Sequence, residues 1–489
     1  METICPVDVK YASQISALLQ PVPSYQHQQY YEELIKRRNC NAVNVKQDGH
    51  FGKGVHALFD FQEGELVLKD EMLVGIQHTL NKMDCLVCSY CFRFIGSVEL
   101  QIGRRLYFQS LGVPIYDGCT KNTGSCSNSK SSEEDCNEKH RDDDEEDNSL
   151  LHDECSISLD NSVTTFKRQS FLDEIVQPLM KGNLSLPYSS KFSLPSPFPC
   201  IGGCGEAYYC SEICAERDWV TSHSLLCTGK ASACVSRDAL ADFIQHANET
   251  NDIFLLAAKT ISTTILRYRK LRSARSEEDD IFSLLLEAWR PFSFGYKKRW
   301  WECISLPEDV DLSEESAFRM DIKDLAFKSL NLLKAAILDT DCEPLFSLEI
   351  YGNIIGMFEL NNLDLVVASP VQDYFHFIED LPQAEEVEGK KVIQAILEAL
   401  GEDYSACCEG TAFYPLQSCM NHSCAPNAKA FKREADRDGR AAIIALRPIS
   451  KGEEITISYI DEELPFEERQ ASLADYGFEC KCAKCLEEC

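Results

Sequence analysis

Eight thiol and imidazole side chains stand at metal-ligand spacing in this chain: Cys88-x2-Cys91 and, further on, Cys200-x3-Cys204-x5-Cys210-x3-Cys214-x8-His223-x3-Cys227. Thiolate and neutral imidazole are ligands that Zn²⁺ favours, and short spacings let one turn supply two of them. Eight ligands are enough for two closed tetrahedral sites, which supply folding energy rather than reactivity. Cys85-x2-Cys88 is also an acceptable first pair. A third group, Cys480-x-Cys482-x2-Cys485, has three thiols and is one ligand short.

Three other stretches combine residue types that serve a bound ligand. In His50-Phe51-Gly52-Lys53-Gly54-Val55 two glycines flank Lys53 and permit a close backbone approach. Ser418 to Asn427 (Ser-Cys-Met-Asn-His-Ser-Cys-Ala-Pro-Asn) is a poor strand and a poor helix, so it needs a structural reason to sit inside a folded core. Gly452-Glu453-Glu454-Ile455-Thr456-Ile457-Ser458-Tyr459 is a turn leading into a strand that ends in a tyrosine.

The elements that must position these groups are legible from patterning. Residues 1–40 read as mostly polar and helical, with no chemistry. Residues 41–76 alternate apolar and polar positions between glycines and read as short strands and hairpins. Residues 113–196 are rich in Ser, Asn, Asp and Glu, and the run 133–147 holds ten acidic and two basic side chains. Such a segment cannot bury enough surface to offset chain entropy, so it is expected to be largely disordered, with order returning at Pro199. Residues 236–270 and 322–339 carry helical periodicity, with Leu325, Leu330, Leu333 and Ile337 on one face. From Thr411 onward the pattern is strand-like again, through 441–446 and 454–459.

Together these motifs resemble a known family. Tyr209-Cys210-Ser211 with Cys214, Asp218-Trp219, His223 and Cys227 is similar to the MYND zinc finger, split here by the long segment after Cys91 and with its middle pair spaced x3 instead of x2. Asn-His-Ser-Cys with Pro-Asn, then Gly-Glu-Glu and Tyr459, resembles the knot signature of the SET domain. The order of all these motifs is that of the SET- and MYND-domain protein-lysine methyltransferases. Residues 351–370 and 415–434 look especially like the second type of plant trithorax-related histone-lysine N-methyltransferases, which share the split finger.

The resemblance implies an α+β fold: a SET-domain β-fold with knot, an inserted split MYND finger, a helical insert and a zinc-bound post-SET segment. The divisions it implies are 1–40 (N-terminal segment), 41–84 (first SET part), 85–227 (split finger with the acidic insertion at about 113–196), 228–404 (helical insert), 405–462 (catalytic core) and 463–489 (post-SET). It implies three zinc sites: Cys88, Cys91, Cys210 and Cys214; Cys200, Cys204, His223 and Cys227; and Cys424 completing Cys480, Cys482 and Cys485. It further implies that Asn421 and His422 hold the amino-acid and ribose parts of S-adenosylmethionine and that Gly52, Lys53 and Gly54 line the same cofactor. Phe478 would stack on the adenine, Tyr459 would place its hydroxyl beside the transferring methyl, and Tyr476 would line the lysine channel. Asn361 or Asn362 is a further candidate for cofactor contact.

The expected activity is methyl transfer to protein lysines, histones foremost, in chromatin and transcription regulation. The location expected from such substrates is the nucleus, with the cytoplasm as a second compartment. The alternative is a catalytically weak adaptor that recruits partner proteins through the finger. Net charge is −31, from 79 acidic and 48 basic side chains. That field repels nucleic acid and suits a basic protein such as a histone tail. The first ten residues have no apolar signal region, and no stretch of about 18 apolar residues exists. The 25 cysteines are therefore expected as reduced thiols or zinc ligands.

Overall fold

A computed structural model describes residues 4–48, 52–112, 172–275, 280–307, 310–401, 407–433 and 436–489. Helices and strands are mixed throughout, in small sheets that share partners far apart in sequence. The acidic run 133–147, with His50 and Phe51, lies outside the described residues.

Strands β1 (Val43–Asp48) and β2 (Gly52–Ala57) form an antiparallel hairpin in register Val45↔Val55. Next to β2 lies β12 (Glu454–Ile457), antiparallel, with Ile455 opposite Val55, and beyond it the two-residue β9 (Asn421–His422) runs parallel to β12. The second sheet joins β3 (Leu66–Asp70), β10 (Ala428–Ala430) and β11 (Ala441–Ala445) in the order β10-β11-β3. The third joins β4 (Val74–Gln77), β7 (Asn362–Val367) and β8 (Cys408–Phe413), with β8 in the centre. Val45, Val55, Leu68, Ile443 and Ile455 bury into one core between the first two sheets. This is the period-2 burial expected where one face of a strand packs inward.

The helical insert packs on that framework. Helices Arg237–Thr250, Ile253–Ser273, Ile281–Trp289, Glu315–Ile337 and Leu348–Asn361 share a core that includes Phe254, Ile261, Leu330, Leu333 and Ile354. Their starts are set by side-chain caps: Ser236 accepts from Ala239 N, Asp280 from Ser283 N and Ser347 from Ile350 N. Leu330, Leu333 and Ile337 share the buried face, and Leu325 lies at its margin. Helix Leu348–Asn361 runs straight into β7.

Two regions differ from the sequence reading. Residues 172–196, placed in the disordered insertion, are built into the protein. Val176, Leu179 and Leu186 bury against Val98, Ile102 and Leu106 of helix Val98–Ser110, and the Glu99 carboxylate accepts from Leu186 N at 3.0 Å and from Ser189 Oγ at 2.5 Å. A composition window over the whole insertion averaged these apolar residues away. The N-terminal segment is helical as expected (Pro6–Lys10, Ala12–Leu19, Ser24–Arg38), but it is not peripheral. Trp289 Nε1 donates to Leu18 O at 2.9 Å, and Tyr31 and Leu34 enter the core under the first sheet. No helix of the described residues is long and apolar enough to cross a membrane.

Candidate functional site

The 198–227 segment is built on a short ribbon, β5 (Phe198–Pro199) with β6 (Tyr208–Tyr209), whose turn carries Cys200 and Cys204. Ser211 caps helix Glu212–Asp218 by accepting from Cys214 N, and buried Tyr209 donates its hydroxyl to Asp218 at 2.9 Å. Two ligand groups result. Cys88, Cys91, Cys210 and Cys214 bring their sulfurs within 4.8 Å of one another, and Cys200, Cys204, His223 and Cys227 do the same with three sulfurs and a ring nitrogen. Cys91 and Cys210 are 3.6 Å apart, Cys210 and Cys214 3.5 Å, and Cys200 and Cys227 3.7 Å. Sulfurs about 2.3 Å from a tetrahedral zinc lie roughly 3.8 Å from each other, so these donor sets fit the ion. Gly202 N and Gly229 N donate to Cys200 and Cys227 at 3.2 and 3.3 Å, holding thiolate charge. Cys85 stands apart, its Sγ directed at Cys407 O at 3.3 Å.

A third group joins Cys424 to Cys480, Cys482 and Cys485, with Cys424 3.9 Å from Cys480 and 3.5 Å from Cys485. It is backed by donors. Arg469, 1% exposed, directs Nη2 at Cys485 at 3.7 Å, and Gln470 Nε2 donates to the same sulfur at 3.4 Å. Four thiolates on one zinc would carry net negative charge, and the guanidinium beside them is itself paired with Glu488 at 2.5 Å.

Asn421 and His422 of β9 stand between this group and the first sheet. Asn421 spends both amide hydrogens inside the protein, donating to Lys53 O at 2.9 Å and Glu454 Oε1 at 2.7 Å. It thereby ties the Gly-x-Gly strand to β12. A Cβ on Gly54 would stand 2.6 Å from the same Glu454 oxygen, so a larger residue there would displace the carboxylate that Asn421 binds. Gly52 has φ +82°, a left-handed value that glycine adopts freely. The odd Pro-Asn ending of the 418–427 run has its reason in Asn427, which accepts from Thr456 N at 2.8 Å and donates to Glu454 O at 2.7 Å and Glu453 Oε1 at 3.1 Å.

His422 links the cleft to the thiol group. Tyr459 N donates to His422 Nδ1 at 3.0 Å, so Nε2 carries the hydrogen and donates to Cys424 Sγ at 3.2 Å. Burial, and then Arg469, lower this imidazole to about 4, so it is neutral. Around it gather Tyr459 (ring centroids 5.4 Å), Phe478 (6.0 Å) and, on the far side of Tyr459, Tyr476 (5.2 Å). Phe478 remains 38% exposed, an aromatic ring open to a ligand. The Tyr459 hydroxyl donates to Met420 O at 2.5 Å, and burial pushes the phenol well up, which keeps it protonated.

Sequence reasoning missed Asp70, and it gave Lys53 and Asn361 to the cofactor without the contacts that hold them. Asp70 is buried at the end of β3, where it pairs with Arg38 and accepts from Leu416 N at 2.8 Å and Gln417 N at 3.1 Å, holding the turn that leads into β9. Lys53 Nζ turns away from Asn421, onto the Tyr31 hydroxyl at 3.3 Å and onto Phe294 O. Asn361 donates to Tyr296 O at 2.7 Å and accepts from Tyr296 N at 3.1 Å, clamping the 294–298 segment. A polar residue bonded to a partner tens to hundreds of positions away carries no local pattern.

Comparison with known proteins adds to this geometry. The SET domain family matches residues 52–460. The histone-lysine N-methyltransferase ATXR2 of Arabidopsis thaliana is 58% identical over 494 aligned residues, covering 100% of this chain and 99% of its own length. The protein-lysine N-trimethyltransferase SMYD5 of Gallus gallus is 26% identical over 64% of this chain and 72% of its own. The histone-lysine N-methyltransferase ASHR1 of Arabidopsis thaliana is 44% identical over a shorter stretch, 16% of this chain and 15% of its own.

Proposed function

Because this chain belongs to the SET-domain family, we propose that it is a protein-lysine N-methyltransferase that uses S-adenosylmethionine and acts on histones. The observation that carries this reading is the aromatic group of Tyr459, Tyr476 and Phe478, assembled around a neutral His422 beside the Asn421–Lys53–Glu454 tie.

The cofactor supplies a methyl group on a sulfonium. The chain supplies placement. A free lysine amine has a pKa near ~10.4, so about one in a few thousand is neutral and nucleophilic at pH 7. Tyr459 and Tyr476 give the amine an apolar channel, and desolvation there lowers the amine's pKa. The Tyr459 hydroxyl commits its hydrogen to Met420 O, so its lone pairs accept from the amine and aim it. Alignment of this kind supplies roughly 7–11 kcal/mol of the barrier, and no dedicated strong base is required. Asn421, its N–H groups already committed, offers Oδ1 to the cofactor's ammonium. The backbone at Gly52 to Gly54 lines the same cofactor, and Phe478 stacks on the adenine.

We read the first two donor groups as a split MYND finger with two zinc ions, the third as the post-SET zinc, and the 418–427 run as the SET knot. The third zinc fixes the segment bearing Tyr476 and Phe478 through Cys424 and His422. The finger leaves Ile213 (61% exposed) and Val220 (66%) in solvent on one helical stretch, which supports a role in binding partner proteins. Net charge of −31 suits basic histone tails, and we place the protein in the nucleus, with the cytoplasm second. Radiolabelled S-adenosylmethionine with nucleosomes or core histones tests this, using wild type and Tyr459→Phe. Label on a histone lysine that falls sharply in the variant is the expected result. No label on histones or on any protein of a cell extract, with cofactor and zinc bound, would overturn it.

A further inference from the structure

A pocket of about 530 Å³ lies where three parts of the chain meet. The 198–227 segment supplies Tyr208 and Leu226, strand β4 supplies Ile76, and the helical insert supplies Leu240, Phe243 and Leu255. Asn421, His422 and Tyr459 are not among its walls, so it is separate from the cofactor cleft. Its volume falls in the range of small-molecule sites, roughly 300–1,000 Å³, and an apolar lining with a few placed polar groups is what such sites have.

Two cations also line the pocket: Arg104, on helix Val98–Ser110, and Lys82, on the short helix Asn81–Asp84. They are tied together, since Arg104 Nη2 donates to Lys82 O at 3.2 Å. The guanidinium is held over the Phe108 ring at 5.4 Å, and its Nε is buried with no hydrogen-bond partner. Among the described residues neither side chain makes an ion pair. The acids that line the same pocket do not serve them. Asp218 is occupied by the Tyr209 hydroxyl and Ser222 Oγ, both at 2.9 Å, and by Lys259 at 3.8 Å, while Glu206 is exposed. A buried N–H without an acceptor is costly, and such a group in a folded protein calls for an explanation.

We infer that this pocket is a binding site for a small organic anion, an apolar body carrying one carboxylate or sulfonate. The acid group bonds Arg104 beside Lys82, and the body lies against Leu240 and Phe243. The unpartnered Nε calls for an acceptor, the neighbouring ammonium makes a charged acceptor the best one, and bonds of that kind are the strong ones. The ligand touches the 198–227 segment, β4 and the insert at once, so its occupancy braces the junction between them.

The test is fluorescence titration of the full-length, zinc-loaded protein with anilinonaphthalene sulfonate and with phenylnaphthylamine, the same body without the sulfonate. Wild type is expected to bind the sulfonate saturably at a single site. Arg104→Met is expected to weaken that binding by about tenfold or more and to leave the neutral analogue unchanged, with Arg104→Lys recovering part of the loss. Ile244→Trp puts a large ring into the pocket and is expected to remove the site for both probes. Zinc content and the urea unfolding midpoint check that each variant is folded, and Arg104→Met alone decides if the tryptophan prevents folding. No saturable binding to wild type, equal weakening of both probes by Arg104→Met, or unchanged binding in every variant would overturn the site.

Discussion

Glu359 lies on helix Leu348–Asn361, two residues before the Asn361 clamp, and accepts from Trp300 Nε1 at 2.9 Å. Burial raises its carboxyl from 4.5 to about 7, and the indole bond offsets only part of that. Between these two values the unfolded chain ionises at this position while the folded one holds its proton, so stability falls as pH rises from 4.5 to about 7 and is level above. At about 1.4 kcal/mol per pH unit, the deficit at pH 8 is about 3 kcal/mol, and at pH 5 it is under about 1 kcal/mol. Glu359→Gln keeps an oxygen for Trp300 and removes the charge. The variant should therefore exceed wild type by about 3 kcal/mol at pH 8 and nearly match it at pH 5. Urea unfolding of both proteins at pH 5, 6.5 and 8 measures the gap. A gap that does not change with pH, or a variant less stable than wild type at pH 8, would refute the reasoning.

Other outcomes follow from the same contacts. Cys482→Ala should lower bound zinc from three ions to two per chain, by metal analysis of purified protein, and should weaken cofactor binding while the finger keeps its metal. Asn427→Ala removes three hydrogen bonds between the knot run and β12 and strands buried partners, a loss of about 2–4 kcal/mol readable by thermal or urea unfolding. An effect below about 0.5 kcal/mol would mean that those bonds do not hold the run in place.

What could be read in advance was what is local. Cysteine spacing, Gly-x-Gly and the knot run are written in consecutive residues, and each names its chemistry before any fold is known. Helices within 236–270 and 322–339 were legible from periodic apolar residues, whereas Ile281–Trp289 and Leu348–Asn361 were not read. Asp70 could not be read that way, since a carboxylate at a strand end is ordinarily a solvent-facing charge, and its partners Arg38 and Leu416 come from opposite ends of the chain. The same holds for helix Ser24–Arg38. Its sequence read only as polar and helical, with no chemistry, yet its aromatic face, Tyr30 and Tyr31, packs on Phe294 with ring centroids 4.0 and 5.7 Å away. Residues 172–196 were lost to averaging, because a few buried side chains in a polar window decide order without changing its composition.

In the first sheet, Val55 pairs with Ile455 and Thr456 with Asn421. During synthesis β2 leaves the ribosome with the finger and the whole helical insert still to be made. Its first neighbour, β1, is already there, but its second, β12, is made long after it. Waiting costs little at equilibrium, since the entropy of closing a loop grows only as the logarithm of its length. It matters in time, because one edge of the β1–β2 hairpin stays open to chaperones and to other chains until β12 arrives. The cofactor cleft thus has no partial form. Methylating activity is therefore expected only of a chain in which β2, β9 and β12 have all been made and paired.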